Sequence, residues 1–416
     1  MAENDVVNTQ ELDTSKLIGC TVYSVEWLLE YLNKFDEKFA SLRKQGKVTK
    51  FLFEDIGKNN GCISNVYLIS IEFANVNEKY DFAWKVPKVE TVNQMAGTEG
   101  KEKEQAIAAL HNRECDFYQT FTLQIPIPFP KIQSVYKWIV DEQYGFIMME
   151  SFFGKAKSVP MFSGATPQQL FELVKHLAHF HAYFLYSPSY QWSGQYGTET
   201  LEPMAKTDFF TPAFKILKER KPGVFDKAID TFGPYAKHYK FIMYMHCGVY
   251  KDLGLPPVLT HGDMWTNNVL WKLNPDGSLS SELAAIIDWQ MVHEGCMTND
   301  LAGFVAMSVD AEVRREYEFQ VLQLYYDTIV SVLKEKGKEV NFTFEQVKKA
   351  YKTNFVTQAM TTMAMGPFFF PNLTSDQSDY KVKQAQQEKV FLRAQCAAED
   401  ALTYFKDMDL GNFVLD

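Results

Sequence analysis

The stretch from Val258 to Asp288 places the tightest constraint on how this chain can fold. It reads VLTHGDMWTNNVLWKLNPDGSLSSELAAIID: an apolar run, a polar loop, a second apolar run, a turn, and a third apolar run ending on a carboxylate. Val258–Thr260 and Val269–Leu273 flank the loop and have the length and residue types of strands. Asn274-Pro275-Asp276-Gly277-Ser278 carries strong turn chemistry, so Val269–Leu273 is expected to pair with Leu283–Ile287 as an antiparallel hairpin. The open end of that hairpin holds Asn268 on one strand and Asp288 on the other, with Asp263 five positions before Asn268. Phosphoryl transfer needs such a set: a carboxylate for the attacking hydroxyl, and amide and carboxylate oxygens for magnesium. A single Asp-x4-Asn on its own reads better as a solvated loop beside a hairpin. The His261-Gly262 lead-in and the Ile286-Ile287-Asp288-Trp289 ending turn the balance toward a kinase-type site.

A chain of 416 residues exceeds the usual size of one core, so two lobes are expected. Hydrophobic residues at 46% and aromatics at 15% can fill both. The formal net charge of -10 argues against broad nucleic-acid binding, which needs a basic face. An acidic protein that binds ATP must therefore make its positive potential locally, with one or two lysines and a metal. Six cysteines without tight spacing fit reduced thiols better than a disulfide framework or a zinc site. The N-terminus is polar and acidic, without the apolar stretch of a signal peptide, and no apolar run approaches a membrane span. The expectation is a soluble, cytoplasmic chain; oligomeric state is not legible.

Residues 1 to about 15 read as a loose tail, and Tyr23–Leu42 as one amphipathic helix carrying Trp27, Leu28, Tyr31, Leu32 and Phe35. From Lys47 the pattern turns to three strands, VTKFLFEDI, CISNVYLISIEFA and YDFAWKV. Between the first two, Gly57-Lys58-Asn59-Asn60-Gly61 fits a loop that cradles phosphates with its N–H groups, and fits a plain hairpin turn about as well. In Phe82-Ala83-Trp84-Lys85, strand alternation puts Ala83 and Lys85 on one face. A small residue against adenine and a lysine one step nearer the phosphates match the Val-Ala-Ile-Lys strand of protein kinases; the competing reading is an edge lysine in solvent. A helix begins near Glu99, and Ile107, Leu110, Phe117, Tyr118 and Phe121 mark its apolar stripe. Glu114 falls on that stripe, where a carboxylate is costly unless paired. Lys85 is its expected partner, with Glu104 the less favoured alternative. Pro126, Pro128 and Pro130 end the helix, strands follow at Val135–Val140 and Tyr144–Met149, and Met149 to Gly154 reads as a hinge. Backbone groups at Met149 and Ser151 are the candidates for hydrogen bonds to adenine.

The remainder reads as mainly helical. Thr166-Pro167-Gln168-Gln169 forms a capping box with proline at the first helical position. His176, His179 and His181 lack the other ligands of a zinc pattern and read as packing or solvated residues. A second helical region spans Thr211 to about Cys247, and the charged run 218–221 reads as its solvated face. Three more helices are expected at 311–336, 344–365 and 378–407. Between the last two, Gly366 to Pro371 is apolar: exposed, it would line an acceptor pocket; buried, it is core, the slightly favoured reading. The expected division is a tail and helix at 1–44, a nucleotide-binding lobe at 45–152 and a catalytic, acceptor-binding lobe at 153–416.

Together, His261-Gly262-Asp263-x4-Asn268 and Ile287-Asp288-Trp289 resemble the aminoglycoside phosphotransferase and choline kinase superfamily. The wider context is similar to its CHK-kinase-like group, related to insect ecdysteroid kinases, and particularly to the nematode branch. Supporting pieces are His111-Asn112-Arg113-Glu114 followed by Phe117-Tyr118, Leu177-Ala178 with His181-Ala182, and Trp271 after Asn268. The resemblance implies an α+β, bilobal protein-kinase-like fold, with an antiparallel sheet in the N-terminal lobe and a larger helical C-terminal lobe. It implies ATP and Mg2+ as cofactors and a small-molecule hydroxyl as acceptor, amino-alcohol-like among others; the apolar, aromatic-rich C-terminal part points to an acceptor with hydrophobic area, such as a steroid or a xenobiotic conjugate. Carried over by position, Asp263 orients or deprotonates the hydroxyl and Asn268 and Asp288 hold magnesium. Lys85 holds phosphate oxygens, Glu114 holds Lys85, and Asp300 braces the catalytic loop. The nucleotide loop is poorer in glycine than the family's, with Asn59 where glycine is usual. A kinase-fold protein that binds ligand without turnover is the alternative. A protein kinase is disfavoured, because Trp289-Gln290 follows Asp288 and no Ala-Pro-Glu segment appears.

Overall fold

The structure, a computed structural model, describes residues 12–57, 63–88, 100–370 and 373–408. Most of the expected tail, Gly61 with Lys58 to Asn60, Glu99 at the expected helix start, and Pro371 lie outside these residues. The fold is α+β and divides into two compact units, residues 1–122 with 130–155, and residues 123–129 with 156–416.

In the first unit, β1 (Val48–Asp55), β2 (Ser64–Phe73), β3 (Val76–Pro87), β4 (Ile132–Tyr136) and β5 (Phe146–Met149) form one sheet in the order β1-β2-β3-β5-β4, with every pairing antiparallel. The single helix expected over 23–42 is two, α1 (Val25–Phe35) and α2 (Glu37–Gln45). Asp36 makes the break: its backbone is extended, and its carboxylate accepts from the Phe39 N–H at 2.7 Å to cap the second helix. Helical periodicity continues across such a cap, so apolar spacing alone merges the two. Leu28, Leu32 and Phe39 pack against Ile69, Ile71, Phe82 and Trp84 to make the core on one face of the sheet. α3 (Lys101–Phe121) ends before the three prolines. The strand expected to reach Val140 stops at Tyr136, because both backbone groups of Trp138 bond the Asn112 side chain instead of a neighbouring strand.

The second unit begins with β6 (Ala156–Lys157) and α4 (Pro167–Tyr186), whose capping box at Thr166 and Gln169 is formed. After the short α5 (Glu202–Ala205), the helical region expected over 211–247 is made of α6 (Phe210–Arg220), α7 (Asp226–Ala236) and α8 (Tyr239–Met243). Pro222 and Gly223, the latter at φ 81°, stop α6. β7 (Val258–Thr260), β8 (Val269–Leu273), β9 (Leu279–Ile286) and β10 (His293–Gly295) form two small sheets, β6-β8-β9 and β7-β10. β8 and β9 are the expected hairpin, with Val269 opposite Ile286 and Gly277 at φ 81° in its turn. Four helices complete the unit: α9 (Asn299–Ser308), α10 (Ala311–Glu335), α11 (Phe344–Phe369) and α12 (Tyr380–Lys406). α11 runs past its expected end, through Gly366 and the buried Pro367. A Cβ on Gly366 would lie 2.5 Å from the Phe391 ring, so glycine lets α12 close against α11.

Candidate functional site

In the first unit, strand pairing fixes Lys85. It sits on β3 between Val66 of β2 and Ile147 of β5, and little of its side chain reaches solvent. Its ammonium donates to Glu114 Oε2 at 2.6 Å, and Glu114 is fully buried on α3. In a pair this deep the mutual attraction offsets the cost of taking both charges out of water, and removing one partner is destabilising because the other stays buried. Two neighbours of Glu114 fix the pitch of α3. His111 Nε2 donates to the Tyr136 carbonyl at 2.9 Å, and Asn112 bonds both backbone groups of Trp138. Burial pushes the His111 pKa down to about 4, with the nearby Lys85 charge adding to it, so the ring is a neutral strut. Gly145 gives that ring room: a Cβ there would stand 2.3 Å from His111 Nε2. The motif His-Asn-x-Glu thus anchors a helix and aims one carboxylate. Sequence reasoning singled out the carboxylate and left His111 and Asn112 without roles.

The other expected residues of this unit divide. The Gly57 N–H already bonds Asp55 Oδ1 at 3.0 Å and the Val66 carbonyl at 3.1 Å, and Gly61 is outside the described residues. Met149 ends β5 opposite Ala83, and Ser151 follows it with its hydroxyl accepting from the Phe153 N–H.

In the second unit, β7 leads into the loop that carries Asp263. Gly262 takes φ 82°, and a Cβ on it would lie 2.4 Å from the Met291 carbonyl oxygen, so no other residue fits without displacement. The two carboxylate oxygens of Asp300, at the start of α9, accept from the His261 N–H at 2.7 Å and the Gly262 N–H at 2.9 Å. His261 Nε2 donates to the Ile287 carbonyl at 2.9 Å while Nδ1 accepts from the Asp263 N–H at 3.2 Å. One ring thereby ties the loop to the end of the β8–β9 hairpin. Asn268 Nδ2 donates to both the Asp263 carbonyl (2.8 Å) and Asp263 Oδ2 (3.0 Å), and the Asn268 carbonyl accepts from the Ile287 N–H at 3.0 Å. Asp263, Asn268 and Asp288 are thus brought to one end of the hairpin.

Asp288 itself adopts a left-handed backbone, φ 66° and ψ 61°, a conformation that costs a non-glycine residue about 1–3 kcal/mol. The next residue explains why it persists: Trp289 is fully buried, packs on His261 and Phe180, and donates its indole N–H to the Ile286 carbonyl at 3.0 Å. Burial raises the Asp263 pKa, the negative charge of Asp288 raises it further, and His261 with the bond from Asn268 partly opposes both. The donors present fit magnesium. Two carboxylates close enough to disfavour each other's charge, beside an amide whose nitrogen faces Asp263, make Asn268 Oδ1 and Asp288 the oxygens that could hold it. Magnesium characteristically takes one or two carboxylates and completes its shell with phosphates and water.

A line of aromatic rings starts two residues after Asp263. Trp265 lies 5.4 Å from Phe369, Phe369 lies 5.2 Å from Phe368, and Phe368 lies 6.2 Å from Phe209. The inner ring is 6% exposed and the outer two are 45% and 38% exposed, so the line runs from the loop to solvent. The apolar segment after residue 365 is therefore neither a loop nor simple core. The three histidines of α4 do not gather around a metal: His176 bonds Glu172, and His181 is buried against Tyr325 and Asp300.

The family DUF1679, described as "Uncharacterized oxidoreductase dhs-27", matches residues 35–408. A Caenorhabditis elegans protein of that same description is 27% identical over 359 residues, a match covering 79% of this chain and 43% of that protein. The chain therefore spans less than half the length of that relative. An "uncharacterized kinase-like protein" of Caenorhabditis elegans is 25% identical over 313 residues, covering 73% of this chain and 78% of that one. Among solved structures, the GDP complex of wild-type aminoglycoside 2'-phosphotransferase-IIIa is 13% identical with TM-score 0.43, covering 88% of this chain and 98% of that one. An ethanolamine kinase from Plasmodium vivax is 12% identical with TM-score 0.40, covering 89% of each chain.

Proposed function

The chain belongs to the DUF1679 family, and from that premise we propose that it is a small-molecule kinase, moving the γ-phosphoryl group of ATP to an alcohol. The observation that carries the reading is the loop in which Asp263 is oriented by Asn268, faced by Asp288, and held from behind by Asp300. In this reading Asp263 accepts or directs the acceptor's hydroxyl proton as that oxygen bonds to phosphorus and the bond to ADP breaks. A raised pKa suits a carboxylate to that task. Asn268 and Asp288 would hold magnesium, which when bound neutralises phosphate charge. Lys85, aimed by Glu114, would hold phosphate oxygens. Gly57, Gly61, Met149 and Ser151 remain candidates for the nucleotide's loop and hinge. The closer affiliation we propose is the CHK-kinase-like branch of the aminoglycoside phosphotransferase and choline kinase superfamily.

The aromatic line from Trp265 to Phe209 supports an acceptor with an apolar body, a steroid-like alcohol ahead of a bare amino alcohol. A nicotinamide-dependent reading, which the family's description invites, lacks its own signature. No two glycines stand one residue apart anywhere in the sequence, and the first unit's sheet is antiparallel throughout.

The test is purified protein with ATP and magnesium against steroid alcohols, sugar conjugates and amino alcohols, read as phosphate transfer by mass spectrometry. Transfer to no alcohol would remove the kinase reading. Magnesium-dependent stabilisation by ATP without turnover would support a ligand-binding protein of the same fold, and alcohol-dependent reduction of NAD or NADP would support an oxidoreductase.

A further inference from the structure

The charged run at 218–221 does not stay together as one solvated face. Arg220 donates to the Phe370 carbonyl at 2.6 Å and Lys221 pairs with Glu388, so this half fastens the end of α6 to the cap of α11 and to α12. Lys218 and Glu219 stand instead beside a cavity of about 680 Å³ between α6 and α7. Its floor is apolar, with Phe214 of α6, 4% exposed, and the half-buried Ile229 of α7. Gly233 and Pro234 form a wall on the α7 side. A Cβ on Gly233 would meet nothing within 4 Å, so the missing side chain leaves the space open, and Pro234 brings no N–H to it. The inner face of α6 is committed elsewhere, with Phe210, Ala213 and Leu217 buried. None of the lining residues belongs to the loop of Asp263, to the β8–β9 hairpin or to the aromatic line from Trp265.

Three lysines border this apolar space, Lys215 and Lys218 from α6 and Lys237 at the end of α7. Like charges around one cavity repel each other, and the acids nearby do not cancel them. Lys218 reaches Asp230 at 3.3 Å, but both groups are exposed and such a bridge contributes little. Glu219 is the one acid in the lining. Among the described residues, neither Lys215 nor Lys237 forms an ion pair. The imbalance extends beyond the cavity: residues 206–240 hold eight lysines and arginines against four acids, in a chain whose net charge is -10.

We propose that the cavity between α6 and α7 is a binding site for a free amphiphilic anion, a medium-chain carboxylate, sulfate or phosphate ester held by Lys215, Lys218 and Lys237 over the apolar floor. An occupant with an apolar body and one anionic head satisfies both features at once. The body covers Phe214 and Ile229, and the head is met by ammonium groups on flexible stems whose methylenes extend the apolar wall. The volume falls within the range of about 300–1,000 Å³ typical of small-molecule sites. A cation is refused by the lysines, and an anion without an apolar body leaves the floor to water. A bilayer presents the same head chemistry, but Phe214 is almost fully buried, so an apolar chain must enter the cavity to reach it. That favours a detached molecule. The site goes beyond the phosphoryl-transfer reading and does not rest on it.

Calorimetric titration of the full-length protein with octanoate tests this, alongside hexanoate, acetate, methyl octanoate and octyltrimethylammonium. One octanoate is expected to bind per chain, about tenfold tighter than hexanoate, whose body is two methylenes shorter. It should also bind about tenfold tighter than methyl octanoate, which has the chain without the charge. Acetate and the cation should not bind. Lys215→Gln, Lys218→Gln and Lys237→Gln together keep the floor and should weaken octanoate about tenfold while methyl octanoate is unchanged. Gly233→Leu fills the space and should abolish binding of both. A side chain before Pro234 disfavours helical backbone, so melting is read beside it, and the lysine variant decides alone if this one unfolds. Three results each overturn the proposal: no binding of octanoate, equal binding of octanoate and its methyl ester, or an octanoate affinity unmoved by the lysine substitutions. Binding to phosphatidylserine vesicles with none to free octanoate also overturns it, making the face a membrane contact. If no alcohol is phosphorylated, the kinase reading falls and the titrations still judge this site by themselves.

Discussion

Asp263 occupies a place where its charge is disfavoured, and that sets a measurable opposition between stability and activity. Its folded-state pKa is raised, by burial first and then by Asp288. Below the ordinary carboxylate value of 3.8 the group is protonated whether the chain is folded or not, and burial costs nothing extra. As pH rises through the folded-state value the charged form must be held, and stability is lost. Asp263→Asn should therefore melt higher than wild type at pH 7, and the gain should vanish near pH 3; calorimetry at the two pH values reads this. In the same variant, phosphoryl transfer should fall about 10²–10⁴-fold, the range for losing a general base. A second prediction concerns Lys85 and Glu114. Glu114→Leu takes a carboxylate away from a buried cation and should cost about 3–5 kcal/mol in urea unfolding. Adding Lys85→Met should recover much of that loss, since an apolar pair carries no desolvation penalty. What could be read from the chain at this scale was the set Asp263, Asn268 and Asp288, because residue type and spacing encode it. What stayed hidden was His181, whose meaning lies in Tyr325 and Asp300, residues far away in sequence and on other helices.

At the scale of elements, the hairpin β8–β9 and the capping box of α4 were legible because turn and cap chemistry are local. Errors fell where periodicity runs on through a break. Asp36 splits one expected helix, and Pro222-Gly223 sets an internal boundary that the expected helical region over 211–247 did not mark. The opposite error occurred at Gly366-Pro367, where turn-like residues sit inside the last turn of a helix that ends two residues further on, at Phe369. Gly262 shows an element depending on one atom's absence. Gly262→Ala places a Cβ against the Met291 carbonyl at a backbone angle hostile to side chains, and should cost about 1–3 kcal/mol with a loss of turnover that exceeds the loss of folded protein. Activity per folded molecule, from circular dichroism alongside the transfer assay, checks this.

At the scale of the whole molecule, two lobes were expected from length, and the antiparallel sheet followed by a helical unit from the resemblance carried by the 261–289 motifs. The aromatic line was not legible, since the rings that line up from Trp265 come from three distant segments of chain. Among the described residues no helix is long and apolar enough to cross a membrane. A nucleotide that binds the folded chain alone must stabilise it by mass action. At a hundredfold excess over its dissociation constant, ATP with magnesium should add about 2.7 kcal/mol, and chelating the metal should remove most of that.

The length of α11 has a consequence for how such a protein can change. Its middle is fastened to the start of α9, where Asn354 accepts from Thr298 and donates to the Met245 carbonyl, and Gln358 donates to Asn299 beside Asp300. Its last turn carries Phe368 and Phe369 outward. One continuous rod therefore has a stem held by buried hydrogen bonds and a tip that ends in half-exposed rings. If the chain is the kinase proposed above, substitutions at Phe368 and Phe369 should change which alcohol is accepted while the bonds of Asn354 and Gln358 at the stem stay as they are.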